Sequence, residues 1–390
     1  MATTKGQSRR RKTSSSDDGP VAASATTRSR RNAKSPSPAP SRNGSEAGAL
    51  DSDAILDLFR KMTTIRFFED AAQRGFRQGK IGGYLHLYSG QEAVATGFLS
   101  YYQEGDKIIT AYRDHAHALL LGSHPNEVMA ELYGKGTGLV KGKGGSMHLF
   151  DVENGFWGGY GIVGGHIPLG VGMAYALRYQ GTDGIVQLSL GDGAIHNGAF
   201  HEAANLAGLW GREGMNPTLF ILENNNYGMG TSVERATAMT DLSAKFDSYG
   251  IEHEDVDGMD LFAVLDVAER ATQRVRETGA PYAIEAITYR IAPHGAADFL
   301  ERYRTKEEIA EWRQRDPIGL AEARLLEAGV AEATLDEIKR EAKAVVEEAV
   351  KFAEESPEPE IAELYTDVYA DEAEGGRRKS GVETGESDGS

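Results

Sequence analysis

Two apolar runs in the chain end abruptly in polar turns. Ile185 to Leu190 runs into Gly191-Asp192-Gly193, and Thr218 to Leu222 runs into Glu223-Asn224-Asn225-Asn226-Tyr227-Gly228. Short apolar runs bounded by turn residues predict buried strands. Between them, Phe200, Ala203, Ala204, Leu206, Ala207 and Trp210 recur at helical spacing. Strand, helix and strand in this order form a βαβ unit with parallel strands, so both polar turns fall at the carboxyl edge of one sheet. Open sheets of this kind bind ligands at that edge.

The same reading extends along the chain. Ile55, Leu58, Phe59, Met62, Ile65, Phe67 and Phe68 predict a helix from Asp53 to about Gly75, capped by Asp51, Ser52 or Asp53. A helix over Gln91 to Tyr101 precedes a buried strand, Lys107 to Thr110, which opens into Ala111-Tyr112-Arg113-Asp114-His115. Asp260 to Glu277 reads as an amphipathic helix and Tyr282 to Thr288 as a strand leading to Tyr289-Arg290-Ile291-Ala292-Pro293-His294-Gly295. Thr305 to Arg313, Pro317 to Ala328 and Thr334 to Glu355 form a helical tail. Residues 134 to 165 carry twelve glycines and little periodicity. A helix that Pro168 suits follows directly, with Val171, Ala174, Tyr175 and Leu177 along it, so the segment reads as an ordered binding loop. The predicted fold class is α/β: a parallel sheet flanked by helices, with a helical C-terminal extension, spanning residues 51 to 372.

Composition narrows the function classes. With 390 residues core size is not limiting, and with no cysteine, disulfides, thiolate metal sites and cysteine nucleophiles are excluded. No apolar run approaches membrane-spanning length, so a soluble, cytoplasmic protein is expected. The net charge of −17 hides an asymmetry, because residues 1 to 50 hold ten Lys or Arg against three Asp or Glu. The body is strongly acidic, which disfavours nucleic acid as its partner. The basic segment lacks aromatic residues and reads as a disordered tail, as does the polar stretch 373 to 390. Its Arg- and Ser-rich composition fits a mitochondrial transit peptide, which would place the protein in the matrix, but Ser8 to Asp18 lacks the apolar face of such a helix.

The turns carry the candidate chemistry. Asp192 stands where a strand ends and a helix begins, so its carboxylate, the following amides of Gly193 and Ala194 and the helix N-terminus share one place, suited to a metal-bridged diphosphate. The Asn225 amide oxygen and the Tyr227 carbonyl add two neutral oxygens, a hard-oxygen set of the Mg²⁺ type.

The stretch GDGAIHNGAFHEAANLAGLW followed by ENNNYGMGTSVERA resembles the thiamine diphosphate motif of alpha subunits of the two-chain 2-oxo acid dehydrogenase family. The likeness runs from about Asp53 to Asp371 through HLYSGQEA, TAYRDHAHAL, KGKGGSMHLF, GYGIVGGHIPLG and YRTKEEIAEWRQRDPI. It implies a thiamine-diphosphate-binding fold in which Asp192, Asn225 and the Tyr227 carbonyl hold Mg²⁺ and Tyr112 and Arg113 hold the terminal phosphate. Backbone at Gly161 and Val163 would meet the aminopyrimidine. His294 would lie near the diphosphate and the reacting centre, its near-neutral pKa suiting it to proton transfer, with His115 and His86 as weaker catalytic candidates.

The implied reaction is oxidative decarboxylation of a small 2-oxo acid, with acyl transfer to a lipoyl-bearing acyltransferase. A beta subunit would complete a heterotetramer of two alpha and two beta chains. ENNNYGMGTSVERA and YRTKEEIAEWRQRDPI look more like the members acting on pyruvate than those acting on branched-chain 2-oxo acids or acetoin. A non-catalytic paralogue is the contrasting reading. A Rossmann dehydrogenase would need a G-x-G-x-x-G after an early strand, which is missing. Two departures stand out. Asp192 and Asn225 are further apart than is usual, with the extra residues in Gly211 to Pro217 at the amino end of the second strand, where they should only lengthen a loop. The loop after His294 reads Gly295-Ala296-Ala297-Asp298 and lacks the serine that many relatives phosphorylate.

Overall fold

In the computed structural model, which describes residues 52–299 and 302–368, the two apolar runs lie side by side in a six-stranded sheet. The strands are β1 (Lys107–Ala111), β2 (Phe156–Tyr160), β3 (Val186–Gly191), β4 (Thr218–Asn224), β7 (Glu252–Asp257) and β8 (Tyr282–Ile287). A ribbon of β5 (Tyr227–Gly228) and β6 (Thr231–Ser232) stands apart. The sheet order is β2-β1-β3-β4-β8-β7 and every pairing in it is parallel. The tails at 1 to 50 and 373 to 390 lie outside the described residues.

Parallel strands are covered on both faces, which is why β3 and β4 read as unbroken apolar runs. Along β4 the faces alternate. Phe220 and Leu222 pack with Val171, Phe200 and Ala204 of α5 (His166–Tyr179) and α6 (Gly198–Gly211). Leu219 and Ile221 pack with Val94, Phe98, Val264 and Ala268 of α2 (Glu92–Leu99) and α8 (Leu261–Thr278).

Outside these layers lie α1 (Ser52–Arg77), α3 (His115–Leu121), α4 (Pro125–Leu132), the single turn α7 (Val233–Ala236), α9 (Lys306–Arg313), α10 (Pro317–Glu327) and α11 (Glu332–Glu355). The helical extension is therefore present. Leu335, Ile338, Ala342, Val346, Ala349 and Ala353 form one buried stripe of α11. Its first half packs on Phe59 and Met62 of α1, and its second on Val128 and Met129 of α4. Caps mark the starts: Asn197 on α6, Asp260 on α8, Thr305 on α9 and Asp316 on α10.

Two strands escape the sequence pattern for physical reasons. In β2, Gly158 and Gly159 interrupt the apolar run because there is no room for side chains. A Cβ at Gly159 would fall 1.8 Å from Asp114 Oδ2, and one at Gly158 would meet the Phe150 ring at 2.2 Å. The edge strand β7 pairs only with β8 and is written Glu-His-Glu-Asp-Val-Asp, with Val256 its buried side chain. The helix expected to begin at Pro168 begins two residues earlier, which is harmless because the first-turn N–H groups have no partner within the helix.

Candidate functional site at the carboxyl edge of the sheet

From β1 the chain moves outward to β2 and then crosses back to β3, so the order reverses between β1 and β3. That switch point is where open α/β sheets form a crevice. Tyr112 and Arg113 follow β1, and Asp192 follows β3. The register pairs Gly191 with Glu223, which brings Asp192 beside the Asn224-Asn225 turn, and the N–H of Thr288 bonds Asn224 O at 2.9 Å. Four strand ends thus deliver Arg113, Asp192, Asn225 and Arg290 to one edge.

Asp192 and Asn225 are buried, at 3% and 6% exposure. Burial raises the Asp192 carboxyl, while Arg290 and the Asn225 N–H favour its charged form. Gly193 passes so close to Gly228 that a Cβ would meet Gly228 Cα at 3.3 Å, which draws the Tyr227 turn onto the GDG turn. Ala194 opens a short 3-10 turn and is buried in the core. Across the crevice the Val163 carbonyl accepts from Asn197 Nδ2 at 2.7 Å, so the 161–163 loop is pinned to the cap of α6. The Val163 side chain and Ile162 are exposed.

The site is rich in cations. Arg113 donates to the carbonyls of Leu87 and His294, the latter at 3.1 Å. Arg290 Nη1 donates to Asn225 Oδ1 and to the Tyr227 carbonyl, each at 2.7 Å. Arg304 donates to the Arg290 carbonyl at 2.6 Å. All three guanidinium groups are buried. Burial, then Arg290, brings Arg113 down to about 10. Arg290 and Arg304 were not singled out in the sequence; the available signal was their position, Arg290 beyond a strand end that must reach the same edge.

The structure brings His294, His86 and Tyr112 together. Ring centroids of His86 lie 4.5 Å from Tyr112 and 5.0 Å from His294. Burial, then Arg113 and Arg290, lowers His294 to about 2, and burial with Arg113 lowers His86 to about 3. The expectation of a near-neutral pKa for His294 is therefore corrected: burial first, and the surrounding guanidiniums second, hold it neutral. His115 lies one bridge deeper, fully buried, with Nδ1 2.8 Å from Glu69 and Nε2 2.8 Å from Ser146 Oγ, which also accepts from the His86 N–H at 3.3 Å. Both its ring nitrogens are engaged within the core, which fits positioning of the 145–148 turn better than contact with substrate.

Unpartnered polar atoms test what ligand fits. Among the described residues, buried atoms without a hydrogen-bond partner include Arg290 Nε, Arg304 Nε and Nη2, His294 Nδ1 and His86 Nδ1. Such orphans are costly, and donors clustered beside mutually repelling guanidiniums suit an anion of diphosphate type. No cluster of three or more His, Cys, Asp or Glu side chains suited to a metal occurs among the described residues. The oxygens of Asp192, Asn225 and Tyr227 instead offer one carboxylate with two carbonyl-type ligands, a set that suits Mg²⁺ when phosphate oxygens complete the shell.

Fold and site together define an α/β protein whose crevice at the topological switch point is lined by the buried carboxylate of Asp192 and the buried guanidinium groups of Arg113, Arg290 and Arg304. The sequence profile described as "Dehydrogenase E1 component" matches residues 60–362, and the chain belongs to that family, whose fold binds thiamine diphosphate. It is 47% identical over 318 residues to a Rickettsia felis protein named pyruvate dehydrogenase E1 component subunit alpha, covering 81% of this chain and 96% of the relative. The Rhizobium meliloti protein of that name is 45% identical over 315 residues, 80% of this chain and 89% of the relative. The alpha subunit of the Bacillus subtilis acetoin:2,6-dichlorophenolindophenol oxidoreductase is 40% identical over 332 residues, 85% and 98%.

Proposed function

We propose that this chain is the alpha subunit of a pyruvate dehydrogenase that uses thiamine diphosphate and Mg²⁺, with the metal and diphosphate held at the carboxyl edge of the sheet. The observation that carries the reading is the crowding of Arg113, Arg290, Arg304, His86 and His294 around the buried carboxylate of Asp192 and the turn that follows it. When bound, thiamine diphosphate supplies the electron sink for decarboxylating a 2-oxo acid.

This chain's residues place that chemistry. Asp192, Asn225 Oδ1 and the Tyr227 carbonyl would ligate the metal, and Arg113 with Tyr112 would take the terminal phosphate. Backbone at Gly161 and Val163 would meet the aminopyrimidine. His294, neutral in these surroundings, offers a ring nitrogen to a phosphate oxygen or to a proton in transit. Pyruvate is preferred to acetoin as substrate because the relatives named for it are 45% and 47% identical against 40%. A beta subunit would cover the edge where Ile162 and Val163 are exposed, and a lipoyl-bearing acyltransferase would receive the acyl group. Among the described residues no helix is long and apolar enough to cross a membrane.

The test is co-purification with a beta chain followed by decarboxylation assays on pyruvate and 3-methyl-2-oxobutanoate. Faster turnover of pyruvate is expected; faster turnover of the branched acid would overturn the substrate assignment.

A further inference from the structure

An asparagine amide has nearly the same shape when turned over, so a site that needs Asn225 Oδ1 must stop the side chain presenting its NH₂ instead. A buried chain of hydrogen bonds does this. Glu223 Oε1 accepts from the Tyr88 hydroxyl, and its Oε2 accepts from Gln91 Nε2 at 2.9 Å. With its NH₂ committed to that carboxylate, Gln91 can turn only its carbonyl to the other side. There Oε1 accepts from Asn225 Nδ2 at 3.0 Å. Asn225 is left with Oδ1 facing the crevice, where Arg290 Nη1 meets it. Gln91 is 0% exposed and Glu223 and Asn225 are 6% exposed, so solvent has little access with which to replace a missing partner.

We propose that Gln91 is a positioning residue that relays the acceptor polarity of Glu223 to Asn225, fixing Oδ1 toward the metal and diphosphate. The relay rests on the reading of Asp192, Asn225 and Tyr227 as metal ligands. Gln91 itself does not touch the cofactor. It opens the segment leading into α2, and Tyr88 lies three residues before it, so one short segment orients a ligand more than a hundred residues away in the chain.

The test uses the full chain with its second subunit, Mn²⁺ as the metal and thiamine diphosphate present, with free Mn²⁺ read by electron paramagnetic resonance. Unliganded melting temperatures report folding. Gln91→Leu removes the acceptor for Asn225 Nδ2 and should weaken Mn²⁺ binding about 10- to 100-fold, the usual effect of losing a group that orients a metal ligand. Glu223→Gln should also weaken it, because an amide at 223 can feed a donor back along the chain. Combining Glu223→Gln with Gln91→Glu restores the polarity: the amide at 223 donates to a carboxylate at 91, which again accepts from Asn225. Near wild-type binding in that double variant is expected, and a role in packing alone would not produce it. Wild-type affinity in Gln91→Leu, or a double variant that binds no better than Glu223→Gln at equal melting temperature, would overturn the relay. No Mn²⁺ binding by the wild-type protein would instead overturn the metal site itself.

Discussion

Arg290 Nη1 lies 2.7 Å from Asn225 Oδ1 and also reaches the Tyr227 carbonyl, so a protein cation bridges two of the oxygens assigned to the metal. In the proposed site metal and guanidinium would compete for them, while the same guanidinium suits a diphosphate. Arg290→Met should therefore have opposite effects. Mn²⁺ affinity without cofactor rises, because the two oxygens lose their competitor. Thiamine diphosphate affinity falls by roughly 10- to 100-fold, the equivalent of one charge-assisted hydrogen bond. Calorimetric titration with each ligand checks both signs, and a parallel change in the two affinities would contradict the competition.

His294 and His86 give stability a pH dependence with a definite sign. Burial first, and guanidiniums next, hold them at about 2 and about 3 against the ordinary 6.5. Below that ordinary value the unfolded chain binds protons that the folded chain refuses, so this contribution to stability is lost as pH falls. His294→Asn keeps a neutral polar group and drops the proton site. The melting temperature of the variant minus that of the wild type should grow as pH falls from about 7.5 to about 5.5. A constant difference would show that His294 is not held neutral.

Glu131 organises the glycine-rich loop from below. Its buried carboxylate accepts from the N–H groups of Val140, Gly142, Gly144 and Gly145 at 2.8 to 3.0 Å. Gly138 passes over it so closely that a Cβ would fall 2.3 Å from its Oε2. Glu131→Gln would turn a donor toward some of those amides, at a cost of roughly 1–3 kcal/mol. Urea denaturation followed by fluorescence should show the loss, and an unchanged midpoint would mean that the loop is held by other contacts.

How much of this was legible in the sequence depended on whether one pattern governed a stretch. The core strands β3 and β4, and helices such as α8 and α11, were readable because a single buried face dictates their residues. β2 was hidden by glycines that exist to avoid Asp114 and Phe150, a constraint that only tertiary contact reveals. Asp192, Asn225 and Tyr227, the ligands proposed for the metal, could be singled out from their turns. Arg290 had only its position beyond a strand end to mark it, and Gln91 and Glu223 could not be named, because what matters in them is hydrogen-bond direction between segments far apart in the chain. The Gly211 to Pro217 stretch does lie at the amino edge, away from the site. It is not idle length, since Asn216 bonds the Gly279 and Val171 carbonyls at 2.9 Å.

The most direct test of the account is a calorimetric titration of the wild-type protein and Asp192→Asn with thiamine diphosphate, with and without Mg²⁺. The account predicts that Mg²⁺ strengthens cofactor binding by the wild type, and that Asp192→Asn, folded by its melting temperature, loses that Mg²⁺-dependent gain. An equal Mg²⁺-dependent gain in the two proteins would contradict it and place the metal elsewhere.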